Sequence, residues 1–124
     1  MIKRIINIDK YWKVIVYYNI DYNFFYAIKK DLRRIDCSNY QIETIYNKMI
    51  THSAKAVTIS NVDLYTSVVL FNKHYDINDY INSIVHESEH IKQSILYAYN
   101  IKDKGEKPAY TIGYIAMKIM ERLV

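Results

Sequence analysis

The longest periodic pattern in this 124-residue chain constrains its fold more than any other feature. From Asp76 to about Asn100, apolar or small residues recur every three or four positions, which is the spacing of one face of an α-helix. The segment therefore predicts the longest helix of the chain, with one apolar stripe. The stripe consists of Ile77, Ile81, Ile84, Ser88, Ile91 and Ile95.

Two regions before this helix have the residue composition of β-strands. Tyr11–Ile20 is dense in aromatic and β-branched residues, which suits a strand. From Ala54 to Leu70, two β-branched runs are separated by a polar interruption of turn-like length. We interpret the second region as a hairpin or two sequential strands.

Three further helices are indicated by capping residues and helical spacing. Asp21 can cap an amphipathic helix that follows it, and Ser38 or Asn39 can cap a second one, with Glu43 as the capping-box partner. Pro108, the only proline, suits the first turn of a last helix. The order is strand, helix, helix, two strands, long helix and final helix. This order predicts an α+β fold with a small, partly antiparallel sheet.

Composition excludes several classes of protein. With 51% hydrophobic and 24% charged residues, the chain is expected to form an ordinary core in one domain, residues 1–124. The single cysteine, Cys37, allows no intramolecular disulfide and no cysteine-based zinc knuckle. No stretch suits a membrane span or a secretory signal. We therefore expect a cytoplasmic protein without a membrane partner.

The sharpest chemical signal is the segment His86-Glu87-Ser88-Glu89-His90 within the long helix. Residues four apart lie on the same helix face, so the two imidazoles of His86 and His90 can bind one zinc ion. Glu87 is rotated by roughly 100° from His86 and can stay off the metal while it acts as a general base. The motif predicts a zinc site on the side of the helix opposite the apolar stripe.

Catalytic zinc requires a third protein ligand and leaves the fourth position open for water. Glu106 lies 16 residues after His90, at the break before the last helix, and a tight reversal brings it back towards the metal. Glu89 and Asp103 are the competitors for this position. We expect Zn²⁺ to be bound by His86, His90 and Glu106.

Two segments of the chain resemble the gluzincin branch of the zincin metallopeptidases in a minimal form. HESEH at 86–90 and EKPAY at 106–110 are similar to the H-E-x-x-H helix and the later E-x-x-A segment of ImmA/IrrE-like peptidases and of small phage or mobile-element zincins. The likeness covers about Ala54 to Val124. It implies a minimal zincin-like fold, in which a small sheet precedes the active-site helix and a C-terminal helix follows it.

The resemblance also implies roles for particular residues. Glu87 would be the catalytic base, and an extended peptide would pair with an edge strand. Apart from the resemblance, Tyr110 and Tyr114 flank Glu106 one helical turn apart, and either phenol is a candidate for oxyanion stabilisation, with ordinary packing as the alternative for each. The edge strand would comprise Ser67, Val68, Val69, Leu70 and Phe71.

The sequence thus predicts a zinc-dependent metallopeptidase that acts on a protein or peptide. One alternative is a non-catalytic zincin-fold binding or regulatory module that retains zinc for structure. Another is a basic nucleic-acid-associated protein, because the net charge is +4 and the first helix carries a basic cluster. We do not expect nucleic acid as a partner, since such clusters are usually solvated. The cluster comprises Lys29, Lys30, Arg33 and Arg34.

Overall fold

Four strands form one mixed sheet in the computed structural model, which describes residues 1–121. The strands are β1 (Ile2–Asn7), β2 (Lys13–Tyr18), β3 (Ala56–Asn61) and β4 (Thr66–Phe71). Their order across the sheet is β1-β2-β4-β3. The pairs β1–β2 and β3–β4 are antiparallel, whereas β2 and β4 run parallel. The predicted hairpin and the partly antiparallel sheet are therefore confirmed.

Helices pack on both faces of this sheet. They are α1 (Phe25–Arg34), α2 (Asn39–Ile50), α3 (Ile77–Ala98) and α4 (Glu106–Met120). This arrangement confirms the α+β class. Among residues 1–121, no helix is both long enough and apolar enough to cross a membrane.

Alternation along the central strands divides the core into two layers. On one face of β2, Val14 and Val16 pack with residues of α3 and α4, including Ile91 and Ile115. On the other face, Ile15 packs with residues of α1 and α2. Because successive strand residues point to opposite faces, β2 needs an apolar residue at nearly every position to serve both layers.

Capping residues place the helix starts close to where the sequence predicts them. Asp21 accepts a hydrogen bond from the Asn23 backbone N–H, in a short 3₁₀ turn before α1. Ser38 caps α2, and its capping-box partner is Gln41. The prediction of Glu43 as that partner is wrong, because the box requires the third helical residue.

The first strand was not predicted from the sequence. β1 pairs with β2 along its full length, but among its residues only Ile6 is buried. Ile5 is 56% exposed, so apolar residues do not mark the buried face. An edge strand with one buried residue carries no clear two-residue hydrophobic pattern, and periodicity alone misses it.

The apolar stripe of α3 is only partly buried. Ile84, Ile91 and Ile95 lie in the core as predicted, but Ile77 and Ile81 are 55% and 37% exposed. In the first half of α3 the buried side instead includes Ser83 and Glu87. Glu87 contacts Thr58 of β3, so the buried side of this half of α3 includes polar residues, while Ile77 and Ile81 lie at the surface.

Aromatic residues close one end of the core around Trp12, which is fully buried. The Trp12 Nε1–H donates a hydrogen bond to Ser67 Oγ at 3.1 Å. Its ring meets those of Tyr65 and Tyr99 edge-on, with centroids 6.1 and 6.2 Å away. The Tyr99 hydroxyl donates in turn to Asp9 Oδ2 at 2.9 Å. This cluster connects the β1–β2 turn to the end of α3.

The Tyr99 phenol makes stability sensitive to alkaline pH. Burial and the hydrogen bond to Asp9 raise its pKa from 10.0 to about 12. Between these values the native state retains a proton that the unfolded state loses, so stability falls as pH rises through this window. We expect Tyr99→Phe to weaken this pH dependence, as measured by urea unfolding at several pH values between 9 and about 11. Identical pH profiles for the two proteins would contradict the assignment.

Candidate metal site

The side chains of His86 and His90 meet on the exposed face of α3. Their Nε2 atoms are 3.2 Å apart, and the ring planes are nearly perpendicular at 83°. Two nitrogen ligands on one tetrahedral zinc ion, each at about 2.05 Å from the metal, are separated by about 3.3 Å. The two Nε2 atoms thus have the separation that one zinc ion requires. Without a metal, the same contact is a hydrogen bond between two imidazoles.

Glu87 lies beneath the edge of the sheet beside this pair. It is only 4% exposed, and its Oε1 accepts a hydrogen bond from Thr58 Oγ1 of β3 at 2.8 Å. Oε2 has no hydrogen-bond partner among residues 1–121, where no buried side-chain oxygen is left without one. Oε2 therefore retains access to solvent. Thr58 holds one oxygen of the carboxylate, and the other accepts no hydrogen bond from the described residues.

Thr58 was not identified from the sequence. In β3 it shares one face of the strand with Ala56 and Ser60, so strand periodicity marks it only as an inward-facing polar residue. Its pairing with Glu87 joins residues 29 positions apart. No local pattern reports such a contact.

Glu106 lies at the start of α4, apart from the histidine pair. It is exposed at the start of α4, in a groove of about 640 Å³ that Leu96 and Tyr99 also line. Leu96 follows Glu87 by nine residues, or two and a half helical turns, so the groove and β3 lie on opposite sides of α3. Leu96 and Tyr99 are also about 9 to 14 Å beyond His90 along the helix axis. The structure does not bring Glu106 to the histidines.

No other acidic residue completes the ligand set in the described chain. Within residues 1–121, no three His, Cys, Asp or Glu residues are grouped as metal ligands would be. Glu89 and Asp103 instead bind Lys92 Nζ at 2.9 and 3.0 Å. The hydrogen bond to Glu89 raises the pKa of Lys92, which stabilises its charged form. The assignment of Glu106 as the third ligand therefore stays a prediction.

The two tyrosines proposed for oxyanion stabilisation accompany Glu106. Tyr110 and Tyr114 line the same groove and are 74% and 40% exposed. On α4, Lys118 Nζ lies 5.7 Å from the centre of the Tyr114 ring. The predicted site is thus divided into the histidine pair with Glu87, and a groove that contains Glu106 and both tyrosines.

The prediction that the segment from Ser67 to Phe71 forms an edge strand is wrong. This segment belongs to β4, which is paired with β2 on one side and β3 on the other. Its backbone groups are used by these neighbours, so no peptide can add to it. Its side chains are buried, including that of Ser67, and the continuous hydrophobic run Val68, Val69, Leu70 and Phe71 is typical of an interior strand. In the described chain, β3 is the edge strand beside α3.

The remaining histidines and the cysteine lie apart from the pair. His74 contacts the Asn72 carbonyl at 2.7 Å and Ser83 Oγ at 3.0 Å, so both ring nitrogens are occupied. His52 is exposed after α2 with a φ of 58°. Burial raises the pKa of the Cys37 thiol, which disfavours the nucleophilic thiolate.

No protein-family model matches the chain, and it matches neither a curated protein nor a solved structure. The similarity to zincins therefore depends on the two short segments at 86–90 and 106–110. Function has to be argued from the geometry around the histidine pair.

Proposed function

We propose that this protein is a zinc-dependent peptidase whose metal is bound by His86 and His90. The observation that carries the proposal is the 3.2 Å separation of the two Nε2 atoms, with Glu87 beside them on the helix. An imidazole–imidazole hydrogen bond has the same separation, so the distance supports the proposal only together with the tethered carboxylate of Glu87 beside the pair. Bound zinc lowers the pKa of water towards 7 and polarises a peptide carbonyl.

Glu87 supplies the proton transfers of the proposed reaction. Its Oε2 accepts the proton of the attacking water and returns it to the leaving amine. Thr58 positions this carboxylate through Oε1, so the free oxygen is held in one orientation. Glu106 joins the ligand set only if the first turn of α4 moves towards His90.

The substrate in this proposal is an extended peptide that pairs with the outer edge of β3. This edge replaces β4, whose backbone is already paired on both sides. β3 also carries Thr58, so a peptide along its edge runs close to Glu87. Backbone pairing gives affinity that depends little on sequence, whereas side-chain pockets give specificity.

Metal content tests the proposed site. We expect the wild type to retain close to one zinc ion per chain after incubation with excess zinc and desalting, as measured by elemental mass spectrometry. His86→Ala should lose this zinc because one ligand alone cannot hold it. His52→Asn is a matched control, since it removes an exposed histidine and suits the positive φ at that position.

The Glu106→Gln variant separates two forms of the proposal. A loss of zinc in Glu106→Gln would show that α4 moves to supply the third ligand. Retention would show that the two histidines bind zinc without it. Absence of zinc from the wild type at every concentration would contradict the proposed metal site and the peptidase with it.

A further inference from the structure

The outward face of α1 combines positive charge with one exposed aromatic ring. Tyr26 is 61% exposed near the start of the helix. Lys30 and Arg33 follow it after about one and two helical turns, so the three side chains lie on the same side. Lys29 and Arg34 border them, and none of these five residues is buried. The face therefore presents one ring among four basic residues.

The one acidic residue of α1, Asp31, lies beneath this surface and positions two basic side chains. Its carboxylate is 2% exposed, and it pairs with Lys3 Nζ of β1 at 2.9 Å and with Arg34 Nη1 at 3.2 Å. The Tyr17 hydroxyl also donates a hydrogen bond to it. Two positive charges therefore share one negative charge. The ammonium and the guanidinium each retain N–H donors that Asp31 does not use.

Lys3, Lys30 and Arg34 line one groove beside α1, with a volume of about 310 Å³. Three basic side chains thus meet one acidic one there, and Lys30 forms no ion pair with any residue of 1–121. An arginine binds phosphate oxygens through paired N–H groups, and a lysine adds a compact positive charge. The groove on the other side of α1 is less basic, because it has two basic side chains and Glu43. The first groove therefore suits a phosphate group.

A second exposed ring beside Tyr26 favours a single nucleic acid strand over other polyanions. Phe24 is 49% exposed, and the centres of its ring and of the Tyr26 ring are 6.2 Å apart. Bases of an unpaired strand stack on such rings while basic side chains contact the phosphates, whereas bases in a duplex stack on one another. Membrane binding instead uses the apolar face of a helix, and that face of α1 is buried in the core.

We propose that the outward face of α1 binds single-stranded nucleic acid, with a phosphate in the groove of Lys3, Lys30 and Arg34 and a base stacked on Tyr26. The proposal departs from the expectation of a solvated cluster, because the sequence does not show that Asp31 positions two of the basic residues. It is independent of the proposed peptidase. Because α1 and α3 pack on opposite faces of the sheet, a strand bound here leaves the histidine pair accessible.

Fluorescence anisotropy of labelled oligo(dT) and oligo(U) strands of about 20 nucleotides tests this proposal, with a chelator present to keep metal from the histidine pair. We expect both strands to bind more tightly than a duplex of the same length. With about three phosphate contacts, the affinity should fall roughly 20-fold between about 50 and 200 mM salt. Lys30→Gln should weaken binding and reduce the slope of log affinity against log salt by about 0.7. Lys104→Gln removes the same charge from the exposed loop between α3 and α4, so it should bind like the wild type.

Two variants of Tyr26 separate base stacking from the attraction of charge alone. Tyr26→Ala should weaken binding about 5- to 150-fold, the range for loss of one stacked base, whereas Tyr26→Phe retains the ring and should bind like the wild type. Equal weakening by Lys30→Gln and Lys104→Gln would indicate diffuse attraction and overturn the site. Equal affinities of Tyr26→Ala and the wild type would overturn it too. So would the absence of strand binding at about 50 mM salt, including the case in which phosphatidylserine vesicles bind instead.

Discussion

A Glu87→Gln variant is expected to lose peptidase activity by about 10²- to 10⁴-fold, the usual contribution of a general base. The amide is nearly the same size as the carboxylate but cannot accept the proton of the attacking water. Its carbonyl oxygen can still accept the hydrogen bond that Thr58 donates to Oε1 in the wild type. We therefore expect the fold and the zinc content to be unchanged. Cleavage of a mixture of unstructured peptides, followed by mass spectrometry, measures the effect.

Thr58→Val provides the companion measurement for Glu87. It removes the hydrogen bond to Oε1 and preserves the shape of the side chain, so the carboxylate stays present but is no longer held. We expect a smaller loss of activity than in Glu87→Gln, with an altered pH profile. Equal activity of Glu87→Gln and wild type would show that Glu87 is a structural residue of the α3–β3 contact.

The Trp12→Ala substitution is expected to destabilise the protein by about 3–5 kcal/mol, the range for large aromatic residues in cores. Trp12 is fully buried and contacts the rings of Tyr65 and Tyr99. Its removal leaves a cavity between β2, β4 and the end of α3, and it also removes the hydrogen bond to Ser67. Urea unfolding at neutral pH measures the change.

Two further variants, one at Trp12 and one at the adjacent Tyr11, separate the contributions of buried volume, hydrogen bond and turn to this destabilisation. Trp12→Phe retains most of the apolar volume but loses the indole N–H, so we expect it to cost much less than the alanine variant. Tyr11→Ala is the matched control, because Tyr11 is 63% exposed and adjacent in sequence. A similar destabilisation by Tyr11→Ala would indicate that this turn, rather than the buried indole, determines the stability.

The parts of the fold that the sequence predicts are those encoded in local patterns. The helix that contains Ile84, Ile91 and Ile95 and the cap at Ser38 depend on residues within a few positions of each other. β1 was missed because only Ile6 of that strand is buried. The parallel pairing of β2 with β4 is not visible locally, since strand register across the sheet depends on the whole topology.

The same distinction applies to the candidate site. His86, Glu87 and His90 lie on one helix, so helical geometry alone predicts that the two histidines meet. Glu106 depends on the loop between α3 and α4, whose conformation a spacing of 16 residues does not determine. Thr58 comes to Glu87 only through the packing of β3 on α3. Sequence motifs therefore do not predict which residues of separate helices and strands come into contact.

The parallel pair at the centre of the sheet has a consequence for how the chain folds. The β1–β2 and β3–β4 hairpins are local and can form early, as can α1 and α2. β2 and β4 are connected in sequence by all the residues between Tyr18 and Thr66. Their pairing closes this long loop, which costs conformational entropy. Chains dominated by such distant contacts fold slowly. We expect the meeting of the two hairpins to limit the folding rate, with one backbone edge of β2 and one of β4 unpaired until they meet.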